Sequence, residues 1–517
     1  MSVANNPILS GFYPDPSICR VGDDYYLVNS SFIYFPGVPI FHSKDLAHWE
    51  QIGNIIDREE QFPVADENAE ISRGIFAPTI RYHEGTYYMI TTNVSYGGNF
   101  VMTAKDPAGP WSMPHYLENA PGIDPSLFFD DDGKCYYVGT RPNPEGVKHN
   151  GDWEIWVQEL DVTTMKLVGE SMAIWKGALK DAIWPEGPHL YKINGYYFLM
   201  HAEGGTGPEH SISVARSKEL FAWFEGCPRN PVFTHRNLGK DYPIAYVGHA
   251  DLVDDADGNW YAIMLASRFN QKHSSMGRET FLAKVIWEDG WPVFNPGVGI
   301  LEDTVELPFK DVRFENEMGN CDHFHFYGST LDDRIVGIKA RSEKMYSLTE
   351  REGFLRLFGG STPISHIGAP HYLGIRQKSY SFEVSCGVDF TPKTKTCSAG
   401  LVLFQNHANH LRMEIVSESG TRFLCVTSCE KEKDTLVSKT ALNSEGLVEV
   451  RLRAKDQRAD IWVKQKDIST CVAENVSLLA YTTEEAGGFV GCTVGMYSYD
   501  KEEKSVADFA WLCMNSL

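Results

Sequence analysis

Acidic residues recur at the start of a repeated motif in the first 300 residues. Asp15 and Asp124 precede Pro-Ser, Glu186 precedes Gly-Pro-His, and the corresponding residues of two further segments are Ala77 and His249. If each segment opens the innermost strand of one unit in a closed ring, these five positions should be equivalent and converge on the axis. Carboxylates that converge raise one another's pKa, so one can donate a proton while another accepts one. The pattern therefore indicates acid–base catalysis.

The same side chains allow other interpretations. Two Asp, one Glu and one His could also bind a divalent cation through carboxylate oxygens and imidazole. An isolated Asp before Pro commonly caps a turn, so the catalytic hypothesis depends on the recurrence of the acids. We assign no metal ligands. Cys425 and Cys429 are the only closely spaced cysteines, and no second pair or His cluster in the sequence completes a zinc set.

The elements that must position these residues follow from the repeat. Each segment contains a short apolar strand, a turn with Gly or Asp, and a second strand that opens on two adjacent aromatics, as in Tyr25-Tyr26. Residues 40–49 and 214–223 read as a third strand leading to a fourth. Segments of this kind start every 47 to 63 residues, which predicts a five-bladed β-propeller. The alternative is that the hairpins belong to an open β-sandwich.

The repeat ends near residue 300. Residues 301–320 read as a linker, and from about 321 apolar and polar residues alternate with β-branched and aromatic enrichment. This pattern predicts an antiparallel β-sandwich. We therefore expect an all-β chain with a catalytic propeller over residues 1–312, a sandwich over 313–517 that closes the active-site pocket, and no helix longer than two turns.

Composition excludes several classes of partner. The 517 residues carry a formal charge of −22, which disfavours nucleic acids and anionic membranes as partners. No apolar run is long enough for a membrane helix, and the first residues lack the pattern of a secretory signal. We expect a cytoplasmic protein whose eleven cysteines are reduced.

Several motifs together resemble glycoside hydrolase family 43, and most of all its two-domain β-xylosidases. The similarity runs along essentially the whole chain and is carried by GFYPDPSICRVGDDYYLVNSSF, GIDPSLFFDDDG, PEGPHLYKINGYYFL, VGHADLV and GRETFLAKVIWEDGWPVFNPG. The resemblance implies a five-bladed propeller whose axial pocket cleaves terminal pentoses with inversion. It also implies roles for the acids: Asp15 as the general base, Glu186 as the general acid, and Asp124 as the residue that positions Glu186 and raises its pKa.

The resemblance also implies residues that hold the sugar. Arg278 would bind its hydroxyls, His249 would lie beneath it, and Phe489 would reach from the sandwich to close the pocket. Phe32 and Phe76 would line the same subsite, and Phe76 stands where related enzymes often carry Trp. The alternative for Phe489 is ordinary sandwich core, and the alternative for Arg278 is a surface ion pair. Glu203 reads as a further polar residue lining the mouth.

The function expected from the sequence is an exo-acting, inverting glycosidase that releases terminal β-D-xylose from xylo-oligosaccharides. An α-L-arabinofuranosidase, or an enzyme with both activities, is the alternative, and a sugar-binding propeller without catalysis is a third possibility. We expect no required cofactor, although the resemblance allows a structural calcium near His249. The expected partner is a xylo- or arabino-oligosaccharide, with no nucleic acid and no membrane, and a homo-oligomer is compatible with the family.

Overall fold

The structure, a computed structural model, describes residues 1–64, 68–443 and 445–517. Its regular elements are almost entirely strands, which confirms the all-β prediction. The helices in this part of the chain are single short turns, namely Glu59–Gln61, Arg236–Leu238, Leu479–Tyr481 and Thr483–Ala486. None of them has the length and apolar character needed to cross a membrane.

Five antiparallel sheets of four strands form the N-terminal half, so the predicted five-bladed propeller is confirmed. The predicted hairpins form the two inner strands of each blade. From the axis outward, blade 1 contains Ser17–Val21, Asp24–Val28, Gly37–Ser43 and Glu50–Ile56; blade 2 Thr79–His83, Thr86–Asn93, Gly98–Ala104 and His115–Tyr116; blade 3 Ile123–Phe129, Cys135–Pro142, Trp153–Asp161 and Lys166–Trp175; blade 4 Glu186–Ile193, Tyr196–Glu203, Ser211–Ser217 and Glu225–Gly226; blade 5 Ile244–Asp254, Trp260–Arg268, Arg278–Glu288 and Trp291–Phe294.

The two ends of the propeller are joined to each other. Strand Ser2–Asn5 pairs antiparallel with Thr304–Leu307. Asn6 then donates from Nδ2 to the carbonyl oxygens of Leu282 and Glu302, both at 2.9 Å, and accepts the Leu282 N–H at 2.8 Å. One amide side chain therefore ties the beginning of the chain to blade 5.

A buried polar network links the inner strands of four blades. Arg81 of blade 2 binds Asp251 of blade 5 with both guanidinium nitrogens, at 2.8 and 3.2 Å. Asp251 also accepts the hydroxyls of Ser17 from blade 1 at 2.7 Å and Tyr191 from blade 4 at 2.5 Å. The second guanidinium nitrogen of Arg81 lies 2.8 Å from Nδ1 of His189. Because charged groups inside a protein are stable only when paired and hydrogen-bonded, this network fixes how the blades meet.

The C-terminal half is the predicted β-sandwich, formed by two eight-stranded sheets. The first contains Cys321–His325, Tyr346–Ser347, Leu355–Phe358, Phe382–Asp389, Val448–Lys455, Arg458–Gln465, Ile468–Ser477 and Val506–Ser516; the second contains Tyr34–Phe35, Val336–Ile338, Tyr372–Arg376, Cys397–Asn406, Asn409–Glu418, Thr421–Glu430, Lys433–Ala441 and Thr493–Asp500. The division predicted after residue 312 falls in the stretch 308–320, which is fully described and contains no strand.

One strand of the second sheet comes from the propeller. Tyr34–Phe35, which lies between the second and third strands of blade 1, pairs with Ile338 and Gly337. The ring of Tyr34 belongs to a hydrophobic core shared with Tyr372 of the sandwich. The two domains therefore share both a sheet and a core, and the propeller covers the edge of strand Val336–Ile338.

The axial network predicts a large loss of stability when one of its charges is removed. Arg81→Met leaves Asp251 buried without its cation, and we expect the free energy of unfolding to fall by about 3–5 kcal/mol. Chemical denaturation of the purified variants measures this change.

Arg20→Met is the matched control, because Arg20 also joins blade 1 to blade 5 through an ion pair, with Asp254 at 3.0 Å, but both side chains are partly exposed. Its loss should stay below about 1 kcal/mol. Equal losses in the two variants would show that the network contributes no more than a surface ion pair.

Candidate active site

The inner strands begin with an unusual backbone conformation at the axis. Asp15, Asp124 and His249 have φ of 53°, 50° and 50°, in the left-handed region that L-residues rarely adopt. In blade 4 that conformation belongs to Gly187, with φ 57°, so Glu186 lies one residue before the equivalent position. The expectation that Glu186 occupies the same place as the other acids is therefore wrong by one residue.

Gly187 is required by its neighbour. A Cβ atom at this position would lie 2.7 Å from Cε1 of His249, closer than such atoms approach. The close packing lets the inner strands of blades 4 and 5 meet and leaves the side chain of Glu186 on the cavity wall.

A cavity of about 200 Å³ opens at this end of the axis. It brings together the eight residues that the sequence assigned to catalysis or to sugar binding. These residues are Asp15, Phe32, Phe76, Asp124, Glu186, His249, Arg278 and Phe489.

Asp15 is held in its ionised form. Burial alone would raise the pKa of its carboxyl group, but the charge of Arg278, helped by His249 and by the Ser30 hydroxyl, lowers it below the usual value. Arg278 donates to Oδ1 at 2.7 Å and to Oδ2 at 3.5 Å, and Ser30 donates to Oδ2 at 2.6 Å. A carboxylate in this state can accept a proton.

Glu186 is displaced in the opposite direction. Burial raises its pKa well above the usual value, and the charges of Asp124 and Asp15 raise it further, against the smaller effect of Arg278. The pKa of Asp124 is also raised, first by burial and then by Asp15, although it accepts a hydrogen bond from the Gly187 N–H. The pair Glu186 and Asp124 therefore retains a proton at pH values where Asp15 has lost its own.

Burial shifts two nearby histidines, His249 and His210, towards their neutral forms. Burial is the main reason for the lowered pKa of His249. It also lowers the pKa of His210, to about 4. Nδ1 of His210 lies 2.8 Å from the Tyr246 carbonyl oxygen, while Nδ1 of His249 lies 3.9 Å from Oδ1 of Asp15. Arg278 is therefore the main positive charge facing the three acids.

An aromatic wall covers Arg278. The rings of Phe32 and Phe489 are stacked with centroids 6.2 Å apart, and Phe76 meets each of them edge-on at 5.8 and 6.3 Å. The guanidinium carbon lies 5.7 Å from the centroid of Phe32 and 5.5 Å from that of Phe489. Phe489 is 44% exposed, and its N–H donates to Ser72 of the propeller at 2.8 Å. It is thus a residue of the cavity wall and not of the sandwich core.

The sequence analysis missed several residues of the cavity wall, of which three have large or polar side chains. Trp184 immediately precedes Pro185-Glu186, with φ 46°, and Thr206 accepts a hydrogen bond from Arg278 at 3.3 Å. Trp153, which begins the third strand of blade 3, is the other. The position of Trp184 next to the acid is a signal that could have been used, whereas nothing in the sequence marks Trp153.

Glu203 does not line the cavity, contrary to expectation. Its side chain is 2% exposed and accepts the Ala178 N–H at 2.8 Å and the Ser213 hydroxyl at 3.1 Å. Burial opposes ionisation, but these contacts and His201 lower its pKa. Glu203 is therefore an ionised anchor behind the wall.

The residues near His249 offer few ligands for calcium. The Asp15 carboxylate is already bound by Arg278 and Ser30. Calcium prefers six to eight oxygen ligands. An ion at this position would take most of them from water, and calcium binding here stays a prediction.

Comparison with known proteins agrees with this geometry. Residues 4–292 match the model of glycosyl hydrolases family 43, and residues 323–515 match the β-xylosidase C-terminal concanavalin A-like domain. The chain is 62% identical to a xylosidase/arabinosidase of Butyrivibrio fibrisolvens, over the full length of both. It is 38% identical to the non-reducing end α-L-arabinofuranosidase BoGH43B of Bacteroides ovatus, over 98% of this chain and 93% of the relative.

Solved structures show the same architecture. The B. ovatus xyloglucan-locus GH43B superposes with a TM-score of 0.92 at 36% identity, with complete coverage of both chains. A xylan β-1,4-xylosidase of Bacillus halodurans also has a TM-score of 0.92, at 32% identity, over 99% of this chain and 100% of that one. With the family model, full-length relatives and the acid-lined propeller in agreement, the chain belongs to glycoside hydrolase family 43 and is a glycosidase.

Proposed function

We propose that the protein is an exo-acting, inverting glycosidase that removes terminal β-D-xylose from xylo-oligosaccharides. The observation that carries this proposal is the opposite displacement of two pKa values in one cavity. Asp15 is held ionised and Glu186 is held protonated. Both forms can therefore coexist, as a base and an acid acting together require.

The reaction follows from these two groups. Asp15 accepts a proton from a water molecule as its oxygen attacks the anomeric carbon. Glu186 gives its proton to the glycosidic oxygen as the bond from that oxygen to the anomeric carbon breaks. The water and the leaving group lie on opposite faces of the sugar, so the configuration inverts. Asp124 acts as a positioning residue whose negative charge keeps the proton on Glu186.

Arg278 has the chemistry to hold the sugar. Its Nη1 and Nη2 bind Asp15, whereas its buried Nε has no hydrogen-bond partner within the described part of the chain. A sugar hydroxyl would satisfy it, and unsatisfied buried donors cost about 1–3 kcal/mol. The rings of Phe32 and Phe76 offer the apolar surface that a pentose ring needs beside its hydroxyls.

The size of the cavity supports action at chain ends. Its volume of about 200 Å³ is smaller than the usual ligand pocket, which suits one pentose. Phe489 of the sandwich forms part of the wall, so a long polysaccharide has less room to pass through. This supports release of single sugars from short oligosaccharides.

A second substrate, terminal α-L-arabinofuranose, is supported by the relatives. The name of the 62% identical B. fibrisolvens protein covers both activities, and that of the 38% identical B. ovatus protein specifies α-L-arabinofuranose. Both sugars would use the same acid, base and arginine.

Removing the acid should impair hydrolysis of natural substrates most. We expect Glu186→Gln to lower kcat/KM for xylobiose about 10²- to 10⁴-fold, since the amide cannot protonate the leaving oxygen. The loss should be smaller for nitrophenyl β-D-xyloside, whose leaving group needs little protonation. Initial rates on the two substrates measure the difference.

Glu203→Gln is the matched control, a buried acid of the same blade that lies behind the wall. It should keep kcat/KM within a few fold of the unchanged protein. Wild-type turnover of xylobiose by Glu186→Gln would contradict the role of Glu186.

The stereochemistry tests the role of Asp15. Proton NMR during the first minutes of hydrolysis of a β-xyloside should detect α-xylose before mutarotation. If β-xylose forms first, the reaction retains configuration and Asp15 does not activate water.

A paired assay tests the substrate. We expect kcat/KM to be higher for nitrophenyl β-D-xyloside than for nitrophenyl α-L-arabinofuranoside. A clear preference for the arabinofuranoside would overturn xylose as the main substrate, and loss of both activities in Asp15→Asn would show that one site serves both.

A further inference from the structure

Three strands at one end of the second sandwich sheet carry a row of potential metal ligands. In the antiparallel register, His410 of Asn409–Glu418 lies opposite Cys429 of Thr421–Glu430, and Cys429 lies opposite Asp434 of Lys433–Ala441. Residues directly opposite one another share a face of the sheet. One nitrogen, one sulfur and one oxygen from these side chains all lie within 4.8 Å of one another.

The imidazole of His410 has a buried nitrogen without a partner. The residue is fully buried, and its Nδ1 lies 3.3 Å from the Asn406 carbonyl oxygen, to which it can donate. That contact leaves the lone pair on Nε2, which has no hydrogen-bond partner in the described part of the chain. A metal-bound histidine has the same arrangement, because the nitrogen that does not bind the metal usually donates to a carbonyl or carboxylate.

Cys429 supplies a soft sulfur donor, and Asp434 supplies a hard oxygen donor. Cys429 is 1% exposed, and its thiol makes a long contact of 3.5 Å with the Ala408 carbonyl oxygen and also interacts with the Asp434 carboxylate and the Glu432 backbone. Asp434 is half exposed and pairs with Arg412, which also faces Glu414 at 3.6 Å. Since a carboxylate has two oxygens, Asp434 can keep Arg412 on one and offer the other, and its exposure gives an ion a path to the site.

We propose that His410, Cys429 and Asp434 form a zinc site in the sandwich domain, separate from the catalytic cavity. Nitrogen, sulfur and oxygen ligands together suit Zn²⁺, whereas Ca²⁺ and Mg²⁺ require oxygen ligands. Water would supply the fourth ligand. The ion would join three adjacent strands, the last of which is largely exposed, and would stabilise this end of the sheet.

A second cluster shows that suitable ligand types alone do not identify a metal site. Asp45, His48 and Asp311 also lie within 4.8 Å of one another. There, however, Nδ1 of His48 already pairs with Oδ2 of Asp45 at 2.7 Å, and that oxygen also accepts the Val312 N–H at 3.1 Å. These contacts explain the second cluster as an anchor for the linker.

Titration with zinc tests the proposal. Metal-free full-length protein, titrated with ZnCl₂ in a calorimeter, should bind one more ion than Cys429→Ser does. Asp434→Asn, at an exposed position, should weaken that site without affecting folding. Cys425→Ser is the matched control, since Cys425 lies four residues away on the same strand and outside the row; it should bind zinc as the unchanged protein does.

Cobalt gives a direct view of the ligands. With CoCl₂, the unchanged protein and Cys425→Ser should show the charge-transfer absorption of a cobalt–thiolate bond, and Cys429→Ser should not. All variants should hydrolyse nitrophenyl β-D-xyloside at the same rate, which shows that they are folded. Equal zinc stoichiometry in the unchanged protein and Cys429→Ser, or the absence of the cobalt band, would overturn the proposal.

Discussion

A buried ion pair between Arg81 and Asp251 lies where the inner strands of the blades meet, and the geometry of the active site depends on it. Asp251 also accepts the hydroxyl of Ser17, two residues after Asp15, and it follows His249 by two residues. The network and the site therefore share the same strands. A shift of one blade against the next would move a catalytic group and break a buried hydrogen bond at once, which makes the arrangement rigid.

The proposed catalysis depends on two similar carboxyl groups that have different protonation states. Asp15 and Glu186 are both carboxylic acids enclosed by protein, yet only Asp15 is bound directly by Arg278 and Ser30. The pKa of Glu186 is instead raised by burial and further by the negative charge of Asp124. Burial raises the pKa of both groups. The arginine beside Asp15 outweighs that effect, and the acid beside Glu186 adds to it, which gives two like groups opposite states of protonation.

The sequence predicted the positions of functional residues well where those residues belong to the repeated hairpins. Five similar hairpins predict five blades, and a residue that opens an inner strand must lie near the axis, which brings Asp15 and Asp124 together. The predicted position of Glu186 was wrong by one residue, because the repeat does not show which residue adopts the left-handed conformation. Trp153 was missed, and Glu203 was wrongly placed at the mouth, because only the packing of neighbouring blades decides which side chains reach the cavity. The row from His410 to Asp434 depends on strand register, which alternation alone does not fix.

The propeller strand that pairs with the sandwich affects the order in which strands can pair during protein synthesis. Tyr34–Phe35 leaves the ribosome about 300 residues ahead of its partner Val336–Ile338, an interval of about 15–60 s at usual elongation rates. The interval between synthesis of strand Ser2–Asn5 and synthesis of its partner Thr304–Leu307 is almost as long. For that time the backbones of Tyr34–Phe35 and Ser2–Asn5 lack these strand partners. The contact between the two domains can therefore be completed only after the sandwich strand Val336–Ile338 has been made.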